Sequence, residues 1–262
     1  RVPAVLARDL AQGFLLLEDL GRQTYLHILD EASADALFEI AMRRLVQLQS
    51  IAVPDGFPAY DADLLLRELR LFDEWFLGVH LGIALDDGER ESLHGVYRVL
   101  VDAALAQPRV LVHRDYMPRN LMPCGDDVAV LDFQDAVLGP IGYDPACLFK
   151  DAFLSWPEAR VAGWHARYHA LASEAGLPVP PLEDFRRDLD LIGVQRHLKV
   201  LGIFARLKHR DDKPKYVADA PRFVAYLDAV LPRHPSLAPL AALIEGRVRP
   251  ALAALEPVAI HA

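Results

Sequence analysis

The sequence predicts an α+β chain: a small β remnant, a mostly helical body, and two further β-runs in the middle. Three observations point there. Short apolar runs cluster before residue 17 and again between residues 110 and 132. Apolar residues recur at helical spacing nearly everywhere else. The 262 residues, 53% hydrophobic and 25% charged, can bury a sizeable core and amount to one large domain or two small ones.

Val2–Ala7 and Phe14–Leu17 are apolar stretches divided by polar residues and Gly13, the pattern of a hairpin. A helix is expected from Ser33 or Asp35 to Gln49, with Leu37, Ile40, Ala41, Leu45 and Leu48 as its apolar stripe. The next runs from Asp61 to Val79, with Leu65, Leu69, Phe72, Phe76 and Val79 on one face. Glu89–Ala106 reads as helix and stops before Pro108. Val110–His113 and Val128–Asp132 read as strands with a turn at Gly125–Asp127 between them. Asp144 before Pro145 reads as an N-cap opening a helix to Phe153. Four more helices are expected: Pro157–Ala175 closed by Gly176, Glu183–Leu207, Lys213–Leu231 and Leu237–Leu255.

Charge and composition exclude several functions. Asp and Glu outnumber Lys and Arg 37 to 28, the wrong balance for a protein that grips a phosphate backbone, so no nucleic-acid partner is expected. No apolar run reaches the roughly 18 residues that a membrane span needs. The two cysteines, Cys124 and Cys147, are too few for a disulfide framework and not spaced as metal ligands. A reducing compartment, the cytoplasm, is therefore expected, and a monomer. The chain begins at Arg1 and shows no signal-peptide pattern, so processing or truncation is expected at its start.

The chemistry is concentrated in one stretch. His113-Arg114-Asp115-Tyr116-Met117-Pro118-Arg119-Asn120 reads H-R-D-x-x-x-x-N, and Asp132-Phe133-Gln134-Asp135 follows the run ending at Leu131. Phosphoryl transfer needs a hydroxyl aimed at the phosphorus and phosphate oxygens neutralised by metal. An Asp on a loop leaving a strand can accept the hydroxyl's proton. An Asn five residues on offers a neutral oxygen to Mg²⁺, and an Asp at a neighbouring strand end offers a charged one. A bare hairpin with polar turn residues does not explain why His113, Asp115, Asn120 and Asp132 all stand at strand ends.

The set H-R-D-x-x-x-x-N, L-D-F-Q-D and G-x-Y-D-P-A resembles the aminoglycoside phosphotransferase and protein-kinase-like family. Leu111–Trp156 and Gly193–Tyr226 further resemble the anomeric kinases of cell-wall amino sugars, which phosphorylate N-acetylmuramate and N-acetylglucosamine at C1 in peptidoglycan recycling. The resemblance implies a protein-kinase-like fold, ATP and Mg²⁺ as cofactors, and a small sugar as partner. It implies Asp115 as catalytic base, with His113 beneath the catalytic loop and Asn120 and Asp132 on Mg²⁺. Asp135 becomes a second acidic group near the metals and substrate, and Asp144 falls near the cleft. The stretch Phe14–Gly21 resembles the strand and hinge that hold adenine, around Glu18 and Leu20. Residues 1–20 then form a remnant of an N-terminal lobe plus hinge, and 21–262 the C-terminal catalytic and substrate lobe. The chain departs from the family in one respect: its first lysine is Lys150, past the catalytic loop, so the phosphate-clamping lysine and most of the N-terminal lobe are expected to be missing from this stretch, by truncation or otherwise.

On the substrate side, Glu183–Tyr216 carries nine Lys or Arg (186, 187, 196, 199, 206, 208, 210, 213, 215) against six acids (183, 184, 188, 190, 211, 212). A polycationic aminoglycoside prefers an acidic pocket, whereas a sugar carboxylate prefers Arg or Lys. A solvated helix face accounts for the same charges. Gln195, Arg196 and His197, mid-helix among apolar residues, are candidate sugar contacts, and so is Glu74 beside Trp75; each can equally serve packing or solvent. His165 and His169 have i,i+4 spacing, but no Glu follows His165, so a metalloprotease is excluded. Two alternatives stay open: another small-molecule kinase of this fold, with an aminoglycoside or amino-alcohol acceptor, and a non-catalytic binding domain that lacks the nucleotide lobe.

Overall fold

A computed structural model describes residues 1–255. Elements run in the order β1 (Val5–Asp9), β2 (Phe14–Leu17), α1 (Tyr25–Ile28), α2 (Ala34–Gln49), α3 (Ala62–Leu71), a π-helix (Phe72–His80), α4 (Asp87–Ala106), β3 (Arg109–Val112), β4 (Leu121–Cys124), β5 (Asp127–Val130), β6 (Val137–Pro140), α5 (Tyr143–Phe149), α6 (Glu158–Glu174), α7 (Leu182–His209), α8 (Ala220–Val230), α9 (Ala238–Leu243) and α10 (Arg249–Ala254). The chain folds into two compact units, each assembled from two separate stretches: Arg1–Ala59 with Pro108–Phe185, and Tyr60–Gln107 with the residues from Arg186 onward.

In the first unit β1 and β2 form the expected antiparallel hairpin, Asp9 opposite Phe14 and Val5 opposite Leu17, turned by Gly13 at φ +76°. Every residue of both strands is exposed. The core lies between α2, α5 and α6. Phe38 of α2 meets the rings of Phe149 at 5.5 Å and Trp164 at 4.6 Å. Gln49, buried at the end of α2, accepts from Tyr168 and donates to the Ile141 carbonyl at 3.2 Å. The four central strands pair differently from the order in which they occur. Arg109–Val112 pairs antiparallel with Val137–Pro140, and Asp127–Val130 pairs with Leu121–Cys124. The second hairpin turns at Gly125, whose φ of +63° suits the first turn position of a two-residue loop. Pairing depends on partners distant in sequence, which local runs do not encode.

In the second unit α7 is buried on every side from Leu191 to Val200. The helix expected over 61–79 is helical throughout but changes character at Leu71, with a π-helix from Phe72 to His80, and the wider turn leaves Val79 exposed rather than on the buried face of Leu65, Leu69, Phe72 and Phe76. Gly202 of α7 meets the backbone at that junction: a Cβ there would lie 2.3 Å from the Leu71 carbonyl carbon. Asp86 caps α4 and Glu89 completes the capping box. The two last expected helices are interrupted. Pro214–Asp219 is a 3₁₀ segment before α8, and Ile244–Val248 is a π segment between α9 and α10. Pro221, Pro239 and Pro250 stand in the first turns of α8, α9 and α10, where a missing N–H is harmless.

Asp144 requires a correction. It does not cap its helix: α5 starts at Tyr143 with Gly142 as N-cap, and the Asp144 carboxylate turns inward. The helix also ends at Phe149 rather than Phe153, because the Asp151 carboxylate takes the N–H groups of Phe153 and Leu154 into a turn.

Candidate active site

The catalytic-loop residues leave β3, pass through a short 3₁₀ turn at Pro118–Asn120, and enter β4. The loop is held by its own hydrogen bonds. Met117 N–H donates to the Asp115 carbonyl at 2.9 Å and Asn120 N–H to the Met117 carbonyl at 2.8 Å. The Asn120 side chain, mostly buried, donates Nδ2–H to the Asp115 carbonyl at 2.9 Å. That bond fixes the amide, so Oδ1 is the atom left to meet a cation. Leu131 N–H donates to the Asn120 carbonyl at 2.9 Å, which ties the start of the Asp132 turn to the same loop. Asp132 takes a left-handed φ of +64°, and its Oδ1 accepts from Gln134 at 2.8 Å.

His113 is buried beneath this lattice, and burial holds its imidazole pKa below the ordinary value, so it is neutral near pH 7. Nδ1 accepts from Asp115 N–H at 3.3 Å, which leaves Nε2–H to donate to the Leu131 carbonyl at 2.9 Å. His113 therefore braces Asp115 and the Asp132 turn at once. Asp144 braces the loop from the other side. Fully buried, it accepts from His113 N–H at 2.8 Å and Arg114 N–H at 3.0 Å.

The donor set fits a hard divalent cation: the Asp132 carboxylate and the Asn120 amide oxygen are both oxygen ligands. Among the described residues no three His, Cys, Asp or Glu side chains gather as a complete metal site. Such a cation would draw its remaining ligands from phosphate oxygens and water.

Of the other expected residues, Asp135 is exposed at the end of the Asp132 turn, where its backbone carbonyl accepts from Arg114 Nη1–H at 3.3 Å. Glu18 and Leu20 lie half-exposed where the β1–β2 hairpin ends, with Glu18 N–H donating to the Ala4 carbonyl at 2.8 Å. Lys150 is buried and paired with Glu158 at 2.8 Å. A cavity of about 610 Å³ opens beside β3 and β5, lined by Leu48, Phe57, Leu111, Val130 and Phe133 among others. Only His113 of the candidate residues reaches it.

Gln195, Arg196, His197 and Glu74 belong to the second unit. Gln195, Arg196 and His197 are buried in α7, whereas Glu74 is exposed on the π-helix. His197 packs its ring on Tyr226 at 5.0 Å. Gln195 Nε2–H donates to Glu68 at 3.4 Å, and Glu68 also pairs with Lys199 at 2.9 Å and accepts from Tyr60. Trp164 and Tyr168 are core residues, and the two histidines beside them part company: His165 packs on Phe149 at 5.5 Å, while His169 contacts the Pro180 carbonyl at 2.8 Å.

Residues 1–189 match the APH phosphotransferase enzyme family. The chain belongs to this family. Its relatives include proteins named N-acetylmuramate/N-acetylglucosamine kinase. The one from Pseudomonas putida is 54% identical over 244 residues, covering 93% of this chain and 72% of its own length. The one from Neisseria meningitidis is 45% identical over 248 residues, covering 93% and 74%. Solved structures share the fold at low identity. An ADP-bound aminoglycoside phosphotransferase superposes with a TM-score of 0.56 at 18% identity, over 86% of this chain and 75% of that one. A choline kinase from Streptococcus pneumoniae gives a TM-score of 0.61 at 16% identity, over 87% and 75%. The protein-kinase-like fold of the phosphotransferase family is thus the fold of this chain, and no helix among its described residues is long and apolar enough to cross a membrane.

Two features of this family member are not evident from motifs, although the sequence carries signals for them. Asp144 is the one charged residue between Ile141 and Phe149, and a carboxylate in such an apolar run must be buried and must find donors. Glu68 shares the helical stripe of Leu65, Leu69 and Phe72, which marks it as an inward-facing charge that needs a partner.

Proposed function

We propose that this chain is the catalytic portion of an ATP-dependent kinase that phosphorylates the anomeric hydroxyl of N-acetylmuramate or N-acetylglucosamine. Asp115 orients the acceptor hydroxyl and takes its proton as the bond to phosphorus forms; an ordinary carboxylate suffices for this. Asn120 and Asp132 hold Mg²⁺, which when bound neutralises phosphate charge. His113 keeps Asp115 in place. Glu18 and Leu20 offer backbone groups to adenine at the hinge, so that residues 1–20 end a nucleotide lobe and the remainder forms the catalytic and substrate lobe. Gln195, Arg196, His197, Glu74 and Asp135 are the sugar-side residues. A cytoplasmic monomer working in peptidoglycan recycling is the setting that fits these assignments.

The observation that carries the reading is the hydrogen-bonded convergence of Asp115, Asn120 and the Asp132 turn, in a chain 54% identical to proteins named for this activity. The test is phosphorus NMR of products, with the full-length protein given ATP and, in parallel, N-acetylmuramate, N-acetylglucosamine and an aminoglycoside. A sugar-1-phosphate resonance is expected with the amino sugars. Transfer only to the aminoglycoside, or to none of the three, would overturn the substrate class. In the same assay Asp115→Ala should lower turnover at least about 10²-fold with the fold intact. Near-normal turnover would remove Asp115 from the role of base.

A further inference from the structure

Arg114 has no task in the chemistry just described, yet it stands between His113 and Asp115 in a conformation that disfavours it. Its φ is +74°, in the left-handed region. That region is open to glycine and costs an L side chain roughly 1–2 kcal/mol. Its backbone is held on both sides. The N–H donates to Asp144 at 3.0 Å, and the carbonyl accepts from Cys147 Sγ at 3.3 Å.

A side-chain-bearing residue held in such a conformation points to a compensating use of its side chain. Here the guanidinium crosses to the other loop, Nη1–H donating to the Asp135 carbonyl at 3.3 Å. That carbonyl ends the turn which begins at Asp132, itself left-handed at +64°. Two of the three non-glycine residues at positive φ among the described residues therefore lie in the two segments that this link joins, Arg114 in the catalytic loop and Asp132 at the start of the turn that Asp135 ends. A glycine at 114 would relieve the backbone and abolish the link, so the two contributions can be separated by substitution.

We propose that Arg114 is a positioning residue that clamps the Asp132–Asp135 turn to the catalytic loop and so sets the affinity of Asp132 for the catalytic cation. The inference rests on the kinase assignment above for its functional consequence, but not for the link itself.

The experiment compares Arg114→Gly and Arg114→Lys with the unchanged full-length protein. It uses hydrogen exchange of the peptide covering residues 132–136, Mg²⁺ titration of turnover, and thermal unfolding. Arg114→Gly should leave the melting temperature undiminished and speed exchange in that peptide. Its Mg²⁺ half-saturation should rise about tenfold, the cost typical of losing a group that supports a metal ligand. Turnover at saturating Mg²⁺ should stay within about threefold of the parent. Arg114→Lys, which keeps a donor but not the forked head, should recover part of the metal affinity. Unchanged exchange together with an unchanged Mg²⁺ titration would overturn the proposal. So would a large fall in turnover at an unaltered Mg²⁺ half-saturation, since Arg114 would then act on the reacting groups themselves. If the parent protein transfers phosphate to no acceptor, the kinase assignment fails, while the exchange comparison still decides whether the link holds the turn.

Discussion

At the scale of single residues, Asp144 is the least replaceable support of the candidate site. Two buried backbone N–H groups, those of His113 and Arg114, end on its carboxylate. Truncating it strands both, and each unsatisfied buried donor costs about 1–3 kcal/mol. Asp144→Ala should therefore lose on the order of 3 kcal/mol in urea unfolding, with turnover falling because the loop that carries Asp115 is no longer fixed. A loss below about 1 kcal/mol would mean that water or another acceptor replaces the carboxylate. The contrast with Asp115 and Asn120 shows what a sequence can reveal at this scale. Their spacing is local, and the loop closes on itself through the Asn120 side chain and the Asp115 carbonyl, so the motif announces its own geometry. Asp144 acts on residues 30 and 31 positions away, and its neighbour Pro145 imitates a capping pair.

At the scale of elements, helices were legible wherever one amphipathic stripe met a clear stop. Ala34–Gln49 and Glu158–Glu174 fall within a residue or so of their expected bounds. Strand pairing was not legible, since β3 pairs with β6 across the intervening β4–β5 hairpin rather than with its neighbour in sequence. The basic character of the 183–216 segment was legible, but its placement was not: Arg196 and Lys199 are buried in α7, and charge counts along a sequence do not tell a pocket-facing side chain from a core one. The close crossing of α7 on the junction between α3 and the π-helix was equally hidden, although its requirement is strict. Gly202 leaves no room for a methyl group against the Leu71 backbone. Gly163, in α6, has open space within 4 Å of where a Cβ would stand. Opposite outcomes are expected for the same chemical change. Gly163→Ala should stabilise the protein by about 0.5–1 kcal/mol through helix propensity. Gly202→Ala should destabilise it by at least about 1–3 kcal/mol, because backbone rather than a pliable side chain must move. Equal midpoints for the two variants in chemical unfolding would show that the crossing can open without penalty.

At the scale of the whole molecule, each folded unit contains a histidine whose ring is held neutral by burial, and this sets how the protein responds to acid. His113 in the first unit has its pKa lowered, chiefly by burial. In the second unit the His80 pKa falls from 6.5 to about 4, first through burial and then through the neighbouring Lys208 and His209 charges; its Nδ1 lies 3.2 Å from His209 Nε2. An unfolded chain protonates such a ring near pH 6.5, whereas the native one resists until about pH 4. Between those values the unfolded state binds more protons, so unfolding becomes easier as pH drops. The stabilisation is fully present above pH 6.5 and is lost as the pH descends toward 4. For His80 alone the loss between pH 7 and 4.5 should be about 2 kcal/mol, since each tenfold difference in proton affinity between the two states is worth about 1.4 kcal/mol. Carboxylates held by arginines, such as the exposed Asp35 beside Arg160 and the half-buried Asp127 beside Arg44, have lowered pKa values and add losses of the same sign at lower pH. The His80→Phe variant isolates the histidine: its unfolding free energy should decline less than the parent's between pH 7 and 4.5, by about the same 2 kcal/mol. Proton NMR gives the independent check, with the native His80 ring titrating near pH 4 and a denatured reference near 6.5. Parallel pH profiles for parent and variant, or a native midpoint at the ordinary histidine value, would show that the π-helix leaves His80 open to protons.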